Sequence, residues 1–103
     1  MNIAIRTCPA VQAPVVRPFA VDRVRAATGR LAGQLRGVAV NVSRESARNG
    51  GRYICRVQAT LAGGERIVVK RDEKDPRSAV AGGIERFRSR LVRVLERMDR
   101  SRP

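Results

Sequence analysis

The chain has 103 residues, 22 basic against 9 acidic, a net charge of +13 and no histidine. That length makes one domain, 1–103, with a modest core, and an apolar fraction of 43% excludes a disordered tail. The missing histidine excludes Ser-His-Asp and Cys-His catalysis, and two cysteines, Cys8 and Cys55, make neither a metal set nor a disulfide framework.

Asn2 to Arg6 alternates, with Ile3 and Ile5 on one side, and reads as a short strand. Thr7 to Ala13 reads as irregular. A helix follows from about Pro14 or Pro18 to about Gly33, with Val16, Ala20, Val24, Ala27 and Leu31 as its core stripe and Arg23 and Arg30 on another face. Pro18 removes a backbone bond if the helix starts at Pro14, so the helix either starts at Pro18 or bends there. Val38 to Ser43 is a second strand, and Arg44 to Gly51 a polar hairpin loop. Arg52 to Leu61 is the cleanest strand. Tyr53, Cys55, Val57, Ala59 and Leu61 point one way, and Arg52, Arg56, Gln58 and Thr60 the other. Gly63-Gly64 signals a tight turn. Arg66 to Lys70 returns as a fourth strand, and Asp72 to Asp75 is a charged loop.

Asp75 as N-cap and Pro76 at the first helical position launch the last helix, which runs to Arg100. Val80, Ile84, Phe87, Leu91, Val94, Leu95 and Met98 share one face. Arg86, Arg90, Arg93, Arg97 and Arg100 fall on a second face, roughly 120° away, with Glu85, Glu96 and Asp99 on the remaining arc. Gly82 and Gly83 cost about 1 kcal/mol each inside a helix and mark a close approach of its backbone to the sheet or the first helix.

The order β-α-β-β-β-α predicts an α+β two-layer sandwich. A right-handed parallel crossover comes first, then an antiparallel meander, with both helices on one face of a four-stranded mixed sheet. The open face then carries Arg6, Arg52, Arg56, Arg66 and Lys70. Cys55 reads as a small buried apolar residue. Asp72, Glu73 and Asp75 read as a solvated loop and a cap, not a metal site. A charge of +13 exceeds what solubility needs and costs stability by self-repulsion. A polyanion is the expected partner: nucleic acid first, an anionic membrane surface second. The open face has no aromatics, which disfavours base stacking of the RRM kind. What remains is phosphate and shape recognition of folded RNA. No stretch reaches about 18 apolar residues, and MNIAIRTCPA lacks the features of a signal peptide, so a cytoplasmic location is expected.

Taken together, the segment from Phe19 to Ala62, Asn49-Gly50-Gly51, Tyr53-Ile54-Cys55-Arg56-Val57 and Leu61-Ala62-Gly63-Gly64 resemble the short ribosome hibernation promoting factors. These are also called ribosome-associated inhibitors or sigma-54 modulation proteins. Asp75-Pro76-Arg77-Ser78-Ala79-Val80 stands where that family has an Asp-x-Tyr-x-Ala-Ile-like helix start. Arg77 replaces the usual aromatic, Pro18 falls inside what is normally helix, and the C-terminal dimerisation domain of the long forms is not expected. The resemblance implies a double-stranded-RNA-binding-domain-like fold. It also implies docking on the 16S rRNA of the small ribosomal subunit, in the channel of mRNA and tRNA, within idle 70S or 100S ribosomes under stress or in stationary phase. It implies that Arg86, Arg90, Arg93 and Arg97 face RNA, and more loosely Arg23, Arg25, Arg30, Lys70 and Arg71. No catalytic residue, cofactor, metal or small-molecule substrate is expected, and the free protein is expected to be a monomer. Alternatives are a protein-interaction module for a sigma factor or other acidic protein, and a general binder of structured RNA.

Overall fold

The computed structural model describes residues 1–45 and 51–100. Its elements are β1 (Asn2–Thr7), α1 (Ala13–Thr28), a 3-10 segment (Gly29–Gln34), β2 (Leu35–Glu45), β3 (Arg52–Leu61), β4 (Arg66–Glu73) and α2 (Pro76–Arg100). The strands lie in the order β1-β2-β3-β4, with β1 parallel to β2 and the other pairs antiparallel. This is the expected α+β mixed sheet with two helices. Helix α1 rests against β1 and α2, and α2 rests against β3 and β4.

The alternation of the strands decides which face is dry. Val38, Val40 and Val42 of β2, Cys55, Val57, Ala59 and Leu61 of β3, and Ile67 and Val69 of β4 are all buried. Helix α2 answers them with Ala79, Val80, Ile84, Phe87 and Leu91, while Val94, Leu95 and Met98 pack at the core's margin. The fit is tight at Gly82 and Gly83. A Cβ on Gly83 would stand 2.9 Å from the Cys55 sulfur, and one on Gly82 would stand 3.1 Å from Cγ of Arg71. The helix backbone therefore lies close to the sheet at these two residues.

Helix α1 starts next to the earlier of the two expected points and departs from expectation at its C-terminal end. It begins at Ala13 and runs through Pro18. The Val15 and Val16 amides donate to the Gln12 carbonyl. Pro18 has no N–H to offer the carbonyl of Pro14, and both prolines lie on the exposed side, where water can serve that carbonyl. The helix then stops at Thr28, before Gly33. The Thr28 side chain is buried, and its hydroxyl donates to the Val24 carbonyl at 2.8 Å. Gly29 follows with φ +43°, a conformation that glycine reaches without a steric penalty. Arg30 therefore belongs to the 3-10 segment, and its seven-residue spacing from Arg23 does not place the two on one helical face. Ala27 and Leu31 are only half-buried, and Thr28 takes the expected place of Ala27 in the core.

Two strands are longer than the sequence pattern indicates. Strand β2 starts at Leu35 and extends to Glu45, which pairs with Arg52, and β4 extends to Glu73, which pairs with Tyr53. Two ion pairs accompany the β4 extension, Arg52 to Asp72 across to β3 and Arg71 to Glu73 along the strand, each at 3.3 Å. The charged loop before α2 thus shrinks to Lys74 and Asp75. Much of the hairpin loop expected between β2 and β3 falls at 46–50, outside the described residues. The β3–β4 turn is closed by the Leu61 amide donating to the Glu65 carbonyl at 2.8 Å, with Gly64 at φ +99°.

Each edge strand has one carbonyl occupied by an arginine from the helix above it. Arg17 of α1 donates to the Ile5 carbonyl of β1 at 2.9 Å, and Arg86 of α2 donates to the Lys70 carbonyl of β4 at 2.7 Å.

Candidate nucleic-acid interface

Helix α2 is launched by the cap expected from the sequence. The Asp75 carboxylate accepts the Ser78 amide at 2.9 Å and the Ser78 hydroxyl at 2.7 Å. These hydrogen bonds hold its pKa below the usual value. From that start, helical geometry puts Arg86, Arg90, Arg93 and Arg97 along one side, all exposed. Arg86, Arg90 and Arg93 line a groove between α2 and β4 together with Lys70, Ser89, Val68 and Val69. No acid lines it. Arg97 stands one turn further on.

Lys70 thus joins the α2 row from a different element. Its carbonyl accepts a hydrogen bond from one nitrogen of Arg86 at 2.7 Å, which anchors that guanidinium beside the groove. A planar guanidinium with its remaining N–H groups free to rotate little is well suited to bidentate phosphate contact.

Arg71 lies elsewhere. It sits on the inner side of β4, half-buried beneath Gly82, and its Nε donates to Glu73 at 3.3 Å. Arg23 faces another groove, between α1 and α2, lined also by Ala27, Ile84, Glu85 and Arg88. Arg25 is exposed in the last turn of α1, and Arg30 is exposed in the 3-10 segment. The structure therefore gathers Arg86, Arg90, Arg93 and Lys70, and distributes Arg23, Arg25, Arg30 and Arg71 over other surfaces.

A second basic cluster escaped the sequence reading. The Phe19 ring carries Arg23 at 5.1 Å and Arg77 at 4.7 Å from its centroid. Contacts of this kind contribute about 0.5–1 kcal/mol at exposed sites, and Arg77 ties the start of α2 to α1. The Phe19 to Arg23 spacing of four signalled half of it. The partner from α2 required the tertiary fold.

Burial pushes the Cys55 thiol up to about 12, so it stays protonated near neutrality, and the residue behaves as a small core side chain. Among the described residues no group of three His, Cys, Asp or Glu comes together to hold a metal. Among the same residues no helix is long and apolar enough to cross a membrane.

No protein-family model matches the sequence, and no curated protein matches it significantly. The fold does match solved structures. A ribosomal subunit interface protein from Coxiella burnetii superposes with a TM-score of 0.77 at 11% identity, over 93% of this chain and 99% of the other. The N-terminal domain of Protein Y from Thermus thermophilus superposes with a TM-score of 0.72 at 19% identity, over 91% of this chain and 99% of the other. The chain therefore has the fold of these two solved structures over nearly its whole length.

Proposed function

We propose that the chain is a non-enzymatic, cytoplasmic ribosome-binding factor that docks on 16S rRNA in the mRNA–tRNA channel of the small subunit and represses translation under stress. The observation that carries this reading is the acid-free groove in which Arg86, Arg90, Arg93 and Lys70 converge. It is built on a fold shared with a ribosomal subunit interface protein. A row of cations mounted on a packed helix contacts phosphates without needing to read bases, which suits folded rRNA.

The test is sedimentation of purified protein with small subunits, using wild type and Arg90→Glu/Arg93→Glu. These two arginines line the groove and carry none of the hydrogen bonds that hold the edge of β4. Wild type is expected to co-sediment, and the variant is expected to stay at the top of the gradient with an unchanged urea midpoint. Retention of the variant with subunits would show that the surface is misassigned. A complex from cells that survives RNase would favour an acidic protein partner instead.

A further inference from the structure

The ladder registers place Arg6 beside Asn41, Asn41 beside Arg56, and Arg56 beside Lys70. One straight row of hydrogen-bond donors thus crosses all four strands. At about 4.8 Å per strand it spans roughly 14 Å. Its chain neighbours Ile5, Val40, Val57 and Val69 lie in the core, so the row stands on the face opposite the helices. Arg6, Asn41, Arg56 and Lys70 are all exposed.

Three features separate this row from an ordinary solvated sheet surface. Arg56 and Lys70 are directly opposed like charges, an arrangement that destabilises a sheet. The acids on this face are gathered at one end, opposite Ile54 and Arg52, and Asp72 there is already engaged by Arg52 at 3.3 Å. On the row's other side, the neutral line Ala4, Ala39, Gln58 and Val68 crosses the sheet in the same register. Its two alanines leave a low floor beside the cations. Lys70 is also the last residue of the row and the first of the α2 groove. The positive surface therefore turns the β4 edge from Arg93 and Arg90 past Arg86 and Lys70 to Arg56, with Arg6 beyond the neutral Asn41.

We propose that the open sheet face is a second RNA-backbone surface, continuous with the α2 groove round the β4 edge. An RNA held on α2 would then be contacted on two sides of the molecule. Charge complementarity selects a polyanion, and the face has no aromatic side chain on which bases would stack, which selects phosphate contact. The inference rests on the functional reading above only in taking RNA as the occupant of the α2 groove.

The experiment measures the salt dependence of binding for wild type and Arg6→Gln/Arg56→Gln. The probes are purified small ribosomal subunits and a short RNA hairpin. Two lost phosphate contacts are expected to reduce the slope of log K against log salt by about 1.4 to 1.8. RNA should also protect Arg6 and Arg56 of the wild-type protein from an arginine-specific dicarbonyl, a readout that needs no variant to fold. An unchanged slope on both probes, with Arg6 and Arg56 modified equally with and without RNA, overturns the proposal. Protection by anionic vesicles and not by RNA also overturns it. Wild type that binds the hairpin but ignores subunits defeats the ribosomal reading alone, and the slope on the hairpin still decides the role of the sheet face.

Discussion

A methyl group added at Gly83 would meet the Cys55 sulfur at 2.9 Å and its Cβ at 3.2 Å, both fixed in the core. Alanine is worth about 1 kcal/mol more than glycine in a helix, yet overpacking a core costs about 1–3 kcal/mol. Gly83→Ala is therefore expected to lower the urea midpoint, and to do so less in a Cys55→Ala background, where the nearer obstacle is gone. Equal losses in both backgrounds would show that the contact is not the cause. The clash predicted for Gly82 is with the side chain of Arg71, 3.1 Å away at Cγ. That chain is half-exposed and can swing aside, so Gly82→Ala should be neutral or stabilising. Both glycines were legible in the sequence as points of close approach, but their opposite tolerance was not. It depends on whether the facing residue of the sheet is a core thiol or a long, mobile arginine. Arg86 makes a similar point. The periodicity of α2 placed it in the arginine row, and only the fold shows that it also serves the Lys70 carbonyl, so charge reversal there confounds binding with packing.

Helix α2 was legible almost residue by residue because its signals are local. Asp75, Pro76 and Ser78 fix its start, and its apolar stripe fixes its buried face. The hydrogen bonds from Ser78 depress the Asp75 pKa, so the cap stabilises the fold above the usual carboxylate range. That stabilisation is lost as the pH falls through the lowered folded value. Asp75→Ala should accordingly be less stable than wild type at pH 7 in urea melts, with the gap closing under acid conditions. A gap of constant size down to low pH would remove the carboxylate from the argument. Helix α1 was harder to read for a reason that is equally physical. Its end is set by the burial of Thr28 and the positive φ of Gly29, whereas the sequence offers two glycines, at 29 and 33, with no local means to choose. The dispersal of Arg30 away from the α2 groove follows from that ending, and that of Arg23 and Arg25 from the packing of α1 over β1 and against α2. The extension of β4 was missed because Asp and Glu have poor strand propensity, and the Arg52 to Asp72 ion pair that joins it to β3 depends on register.

At the scale of the molecule, a charge of +13 is carried by a body of 51 × 25 × 19 Å. At about 10 mM salt the Debye length is about 30 Å, and at 0.15 M it is about 8 Å. The first exceeds the molecule's width, so nearly every cation feels the others. The second is less than half its thickness. Raising the salt across this range should therefore raise the melting temperature by several degrees, since about 1 kcal/mol corresponds to roughly 4–8 °C in a domain of this size. The same change should weaken RNA binding. A melting temperature indifferent to salt would mean that the repulsion is already compensated within the fold. The order of strands and helices was written in the alternation of the sequence. The continuity of charge from helix to sheet was not, because it depends on the register that sets Arg6, Asn41, Arg56 and Lys70 in line. The two arginines at the sheet's borders carry one last implication, for how copies of the chain can associate. With Arg17 on the Ile5 carbonyl and Arg86 on the Lys70 carbonyl, neither border offers an uninterrupted run of acceptors to an incoming strand. A partner can be laid against this protein's faces but is hindered from being stitched onto its sheet, and a crowded store of such molecules would resist growing into fibrils.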